Sequence, residues 1–255
     1  MSMIVAAVNG GPTSGPVLEV ADGLGRRLGA DVDAITVGVL EYGGSGKERV
    51  RVERGDPETV LAGHAARTEV AAVVIGARST RLGAWPVGHV TLAVITHAPV
   101  PVVVVPPDLT PGRCRLASVV VPLEGDRRLL APTRELLLAL EGAGAELHPL
   151  HVMDRGHTPR FWEGSRDRTW YAEEFSQRVE PGLPETEVSA GDVVEVVARA
   201  VRNHDADAVV LEWKQHWDPG RAEVVRRLLE RATVPVILVP EDAQHSEEAD
   251  DAHPT

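Results

Sequence analysis

A single cysteine, Cys114, stands in a chain of 255 residues. That excludes an intramolecular disulfide, and with it the disulfide-stapled secreted scaffolds, and points to a reducing cytoplasm. No local sequence signal marks Cys114 as a nucleophile. Basic charge is also scarce: 26 Lys and Arg against 38 Asp and Glu leave a net charge of −12. Such a surface repels nucleic-acid backbones and anionic membranes, so neither is expected as a partner. Long apolar runs are missing as well. The longest, APVPVVVVPP at 98–107, is far too short to span a bilayer and is flanked by prolines. The opening MIVAAVNGG is broken by Asn and Gly before it reaches the length of a signal-peptide core. No Ser-His-Asp order, zinc-ligand spacing or Walker-type GKS or GKT is present. The expectation is a soluble cytoplasmic protein whose chemistry is not that of a common hydrolase or metalloenzyme.

What is present is an internal repeat. IVAAVNGG (4–11) recurs as VVVPLEGD (119–126), and GADVDAITV (29–37) as GAELHPLHV (144–152), both at an offset of 115. GDPETVLAGHAARTEVAAVVI (55–75) recurs as GDVVEVVARAVRNHDADAVVL (191–211) at an offset of 136. HAPVPVVVVP (97–106) recurs as RATVPVILVP (231–240) at an offset of 134. The order is kept throughout, and the Pro/Gly-rich stretch PPDLTPGRCR (106–115) makes a natural join. The chain therefore divides into a first domain at 1–107 and a second at 115–241. An acidic, aperiodic tail at 242–255 is expected to be disordered.

Within each half, short Val/Ile runs alternate with helical patterns. MIVAAV, DVDAITVGVL, VAAVVIGA and VPVVVVP read as strands. PVLEVADGLGRRLG carries Val17, Leu18, Ala21, Leu24 and Leu28 at helical spacing, with Thr13 or Ser14 as cap and Pro16 in its first turn. Asp56 and Asp192, each after a glycine, read as helix N-caps. Continuous rather than alternating apolar strands are covered on both faces. The fold class is α/β, with two doubly wound, mostly parallel five-stranded sheets carrying helices on both faces, as a tandem repeat. The jump in offset places 21 extra residues between the second and third strands of the second half, within 154–185. There SRDRTWYAEEFSQRVE and its flanks read as an amphipathic helix over the second sheet. The first half has only EYGGSGKE (41–48), so its RVRVERG (49–55) is expected to form a hairpin or a displaced edge strand.

One loop carries a candidate chemistry. GARSTRLGAWPVGH (76–89) joins a strand to a helix, with glycines near both ends and arginines between. Backbone N–H groups at a glycine-rich helix start approach anions closely. The opening strand followed by NGGPTSG, the VERGDPETVL turn, VVIGARS and GHVTLAVITHAPVPVVVVP together resemble the universal stress protein family, across almost all of both halves. The resemblance implies an adenine nucleotide alpha hydrolase-like fold and a stress-response regulatory or binding protein rather than a turnover enzyme. It also implies ATP or another adenine nucleotide, with magnesium, held by a Gly-x2-Gly-x9-Gly-Ser/Thr loop. On this chain Gly76 and Gly88 fit the first and third glycines, Ser79 replaces the second, and His89 replaces the Ser or Thr. The second spacer has eight residues instead of nine, and Asn9 stands where the family has Asp. The residues expected around a ligand are Asn9 and Gly10 near the nucleoside, with Gly76, Arg78, Ser79, Gly88, His89 and Val90 around the phosphates.

In the second half Glu212 replaces Gly76, Ala222 replaces Gly88 and Glu223 replaces His89, so no nucleotide is expected there. Trp213 and Trp217 in EWKQHWDPG read as a packing device on a loop. His148 and His151, three apart on a strand, point to opposite faces and make no metal pair. The resemblance further implies that VPVVVVP and VPVILVP pair in an intramolecular pseudo-dimer, with a homodimer and an unidentified regulatory protein partner as further associations. Two alternatives stay open: a nucleotide-free interaction or scaffold protein, and a weak ATPase for which the sequence places no base.

Overall fold

The computed structural model describes residues 2–11, 13–38, 50–77, 87–109, 112, 115–124, 128–153, 173, 175, 182–217 and 221–241. The first half runs β1 (Met3–Ala7), α1 (Ser14–Leu28), β2 (Asp31–Val37), β3 (Val50–Glu53), α2 (Pro57–Ala65), β4 (Val70–Gly76), α3 (His89–His97) and β5 (Val102–Val105). The second runs β6 (Ser118–Leu123), α4 (Ala131–Gly142), β7 (Glu146–Met153), β8 (Glu187–Ala190), α5 (Val193–Asn203), β9 (Ala208–Trp213), α6 (Arg221–Arg231) and β10 (Val236–Pro240).

All ten strands join one sheet, in the order β3-β2-β1-β4-β5-β10-β9-β6-β7-β8. The two expected five-stranded halves are continuous through the pairing of their last strands, as the resemblance implied. The last strands of the two halves, β5 and β10, are antiparallel neighbours, with Val236 opposite Val104, Ile237 opposite Val103 and Leu238 opposite Val102. Every other pairing is parallel. The registers repeat too: Met3↔Asp31, Ile4↔Ala72 and Val73↔Val102 return as Ser118↔Glu146, Val119↔Ala208 and Val209↔Val236.

Alternating strand residues feed two cores, which is why the strands are apolar without interruption. Val5, Ile35, Val73 and Val104 face the side that also buries Leu61, Ile95, Val197 and Leu228 of α2, α3, α5 and α6. Ile4, Ala34, Val74 and Val103 face the side that buries Val17, Leu24, Leu137 and Leu140 of α1 and α4. Helix α1 ends on Gly29 at φ +62°, whose N–H bonds the Gly25 carbonyl; this left-handed conformation is the one glycine reaches without a Cβ penalty. Asp56 and Asp192 cap α2 and α5, accepting from Thr59 N–H and from the N–H groups of Val194 and Glu195.

Strand β3 is an edge strand, but it pairs parallel to β2 (Ala34↔Val50 to Val37↔Glu53) and forms no hairpin. Twelve residues separate Val37 from Val50, which meets the length of roughly a dozen that a parallel crossover needs. Of the helix read at 165–180, only Glu173 and Phe175 are described, both in helical backbone. Phe175 is fully buried and stacks on His151, with ring centroids 4.3 Å apart. The rest of that segment and the acidic tail at 242–255 lie outside the described residues.

Candidate functional site

In an open α/β sheet a crevice forms beyond the carboxyl ends of the strands where the winding direction reverses. In the first half that point lies between β1 and β4, and a crevice of about 180 Å3 opens there. Its floor is apolar: Ile35 of β2, Leu61 of α2 and Ile75 of β4 are buried there. Its rim is polar, formed by Asn9, Thr13, Ser14, His89 and Thr91.

Two helices begin at this rim, and neither receives a side-chain cap. Thr13 stands at the N-cap of α1 with φ −77° and ψ −10° and makes no capping bond, contrary to the expected role of Thr13 or Ser14. Gly88 begins α3 and has no side chain to offer. The N–H groups at these two helix starts have no side-chain cap, that of Ser14 bonding the Gly11 carbonyl at 3.0 Å, and each helix start carries partial positive charge. Helix α2, starting beside them, is capped by Asp56, whose carboxyl is held below its usual range by the Thr59 backbone and hydroxyl bonds. The Ser14 hydroxyl is a second sign of an absent acceptor. Ser14 is 5% exposed, lines the crevice, and its Oγ has no hydrogen-bond partner among the described residues. An orphaned buried hydroxyl is costly and is rare in native interiors.

Asn9, Gly76, Gly88, His89 and Val90 come together around this crevice. Their local roles differ from those expected. Asn9 Oδ1 accepts from the Gly11 N–H at 2.9 Å, closing a turn in which Gly10 adopts φ +78°. Gly10 serves that turn and does not line the crevice. Gly76 is needed for packing: a Cβ there would lie 2.9 Å from Thr13 Oγ1 and 3.1 Å from Thr13 Cβ. Its carbonyl accepts from Thr91 Oγ1 at 3.1 Å, which ties the start of α3 to the end of β4. The His89 ring is 78% exposed, with Nε2 3.7 Å from Glu58 Oε1. Arg78 and Ser79 lie outside the described residues. Thr13, Ser14 and Thr91 escaped the sequence reading as crevice residues, because a Ser or Thr at a helix start is indistinguishable in sequence from a capping residue.

The second half resolves the same place differently. Glu212, one residue before the end of β9, accepts a hydrogen bond from the Leu130 N–H at the start of α4, at 2.6 Å. A carboxylate of the chain itself thus meets the start of α4. Glu223 pairs with Arg226 at 2.7 Å on the surface of α6. Trp213 closes β9 instead of lying on a loop; it is buried, and Trp217 stacks obliquely on it at 4.6 Å. Both do serve packing, against α3 of the first half. His148 and His151 lie on opposite faces of β7, the first stacked on His204 at 4.0 Å and the second on Phe175. Among the described residues no group of three His, Cys, Asp or Glu is arranged to hold a metal.

Residues 38–106, which include the α2 and α3 walls of the crevice, match the model of the Universal stress protein family. That match spans 69 of the 255 residues, 38 through 106. No curated protein matches it. Solved structures resemble it along its whole length. A functionally unknown protein from Pseudomonas aeruginosa PAO1 is 12% identical with TM-score 0.66, over 99% of this chain and 98% of that one. A protein from P. aeruginosa UCBPP-PA14, provisionally described as a universal stress protein, is 12% identical with TM-score 0.67, over 98% of each. A universal stress protein from Archaeoglobus fulgidus DSM 4304 is 15% identical with TM-score 0.61, over 95% and 97%. At these identities the likeness is one of fold. No helix among the described residues is long and apolar enough to cross a membrane.

Proposed function

We propose that this is a stress-response regulatory protein that binds an adenine nucleotide in its first half alone. The observation that carries the reading is the buried, unpartnered Ser14 hydroxyl between two helix starts without side-chain caps. Phosphate oxygens supply the acceptors that such a rim lacks, and the apolar floor suits a nucleoside. Among the described residues no carboxylate lines the crevice. Magnesium arriving with ATP would therefore be held by the phosphates and water. Among the described crevice residues the one group able to act as a general base is His89, whose ring is exposed at the rim, and a lone exposed imidazole favours a binding role over turnover. In the second half Glu212 already satisfies the start of α4. The shared β5–β10 seam supports treating the chain as an intramolecular pseudo-dimer of one binding half and one self-satisfied half.

Thermal denaturation with AMP, cyclic AMP and ATP–magnesium tests the reading. A ligand present at 100 times its dissociation constant adds about 2.7 kcal/mol to stability. No shift at millimolar nucleotide would favour the nucleotide-free interaction protein. Ser14→Ala separates ligand binding from folding. Removing an orphaned hydroxyl should leave the free protein as stable or more so, while losing about 1 kcal/mol of binding, roughly fivefold in affinity.

A further inference from the structure

Helix α3 touches the crevice with one end and the second half with the other. At its N-terminus Gly88, His89, Val90 and Thr91 line the crevice. At its C-terminus, where helix carbonyls have no intrahelical partner, the donors come from the last residue of β9 and the segment after it. Trp213 Nε1 donates to the Ile95 carbonyl at 3.2 Å, and Gln215 Nε2 to the Ala98 carbonyl at 2.9 Å and the Ile95 carbonyl at 3.4 Å. Trp217 Nε1 donates to Thr96 Oγ1 at 2.9 Å. Gln215 holds this position in left-handed backbone, φ +59°, a conformation that costs a residue with a Cβ.

The bonds continue along the helix. The Thr96 hydroxyl, accepting from Trp217, donates to the Leu92 carbonyl at 2.8 Å, and the Leu92 N–H bonds the Gly88 carbonyl at 2.9 Å. An unbroken series therefore runs from an indole of the second half to a residue of the crevice wall. Contiguous hydrogen-bonded and rigid elements of this kind carry coupling between sites. On the other side of the clamp Glu212, adjacent to Trp213, holds the start of α4.

We propose that α3 is a coupling rod: ligand entering the crevice biases the position of α3, and the Trp213–Trp217 segment of the second half reads that position. This rests on the crevice being a ligand site, and it makes the self-satisfied second half the output of the pair. By linkage, loosening the clamp must alter the crevice, and filling the crevice must tighten the clamp.

The test uses the full chain with Gln215→Gly and Trp217→Phe, singly and together. Glycine tolerates the left-handed backbone, and phenylalanine keeps a ring in the Trp217 position, so both variants are built to fold. Hydrogen exchange is read first without ligand. Faster exchange at the Leu92 amide by about tenfold in the double variant is expected, with the Val17 amide of α1, on the opposite wall, unchanged. Unchanged Leu92 exchange, or equal acceleration at Val17, overturns the rod, whatever nucleotide does. AMP is then titrated: weakening by fivefold or more in the double variant is expected. Tight AMP binding indifferent to the variants also overturns it. If wild type shows no AMP binding but Leu92 responds, the nucleotide reading falls and the mechanical coupling stands.

Discussion

Glu212 Oε1 accepts a hydrogen bond from the backbone N–H of Leu130 at 2.6 Å, bringing the end of β9 onto the start of α4. Removing that acceptor leaves a helix start unsatisfied. Glu212→Ala should cost about 1–2 kcal/mol, read as a lowered urea midpoint with unchanged slope. Glu212→Gln keeps a carbonyl oxygen and should lose less.

Gly76 distinguishes a packing glycine from a phosphate-approach glycine. A Cβ at Gly76 meets Thr13 Oγ1 at 2.9 Å and Thr13 Cβ at 3.1 Å, so Gly76→Ala must displace α1 from β4. The expected cost is about 1–3 kcal/mol in the ligand-free protein. A variant with normal stability that has lost only nucleotide binding would assign the glycine to the ligand instead.

The seam between the halves places equivalent residues of the repeat opposite one another, Val103 facing Ile237. Ile237 is 1% exposed. Ile237→Ala should cost about 2–5 kcal/mol, measured by urea denaturation. Because one sheet runs through the seam, both halves should lose stability together, in a single transition.

His148 supplies a pH dependence. Ser118 Oγ lies 3.1 Å from the His204 carbonyl, which can only accept, so the hydroxyl donates there and accepts from His148 Nε2–H at 2.9 Å. Burial, and then the charge of the stacked His204, depress the His148 pKa below its ordinary 6.5, with Glu146 and Glu187 opposing. Below that value the unfolded chain binds the proton more readily than the folded one. Stability attributable to His148 is present above pH 6.5 and is lost as pH falls below it toward the depressed folded value. Urea midpoints between pH 7.5 and 5 should fall less steeply in His148→Gln than in wild type.

The elements were legible because their signals are local. Val and Ile runs too continuous for a half-exposed strand gave buried parallel strands, and the Gly-Asp pairs at 55–56 and 191–192 gave two capped helices. The repeat offsets even carried the strand registers: Val73↔Val102 and Val209↔Val236 are the same pairing displaced by 136 and 134 residues. The site was less legible. Residues with permissive side chains have several reasons to be where they are, and sequence cannot rank them. Gly76 looked like an anion-binding glycine and packs against Thr13; Gly10 looked like a ligand residue and serves a turn. Ser14 looked like a cap and is an unpartnered hydroxyl in the crevice.

By itself the sequence determined the α/β order, the two-sided burial of the strands, the duplication and the departure of the second half from the nucleotide loop. Those depend on spacing, residue size and charge, which act within one turn or one strand. Tertiary structure alone decided that Glu212 answers the start of α4 and that Trp213, Gln215 and Trp217 grip α3. These are contacts between groups 82 to 121 residues apart along the chain, where an orphaned donor or acceptor finds its partner only once the sheet has brought the two together.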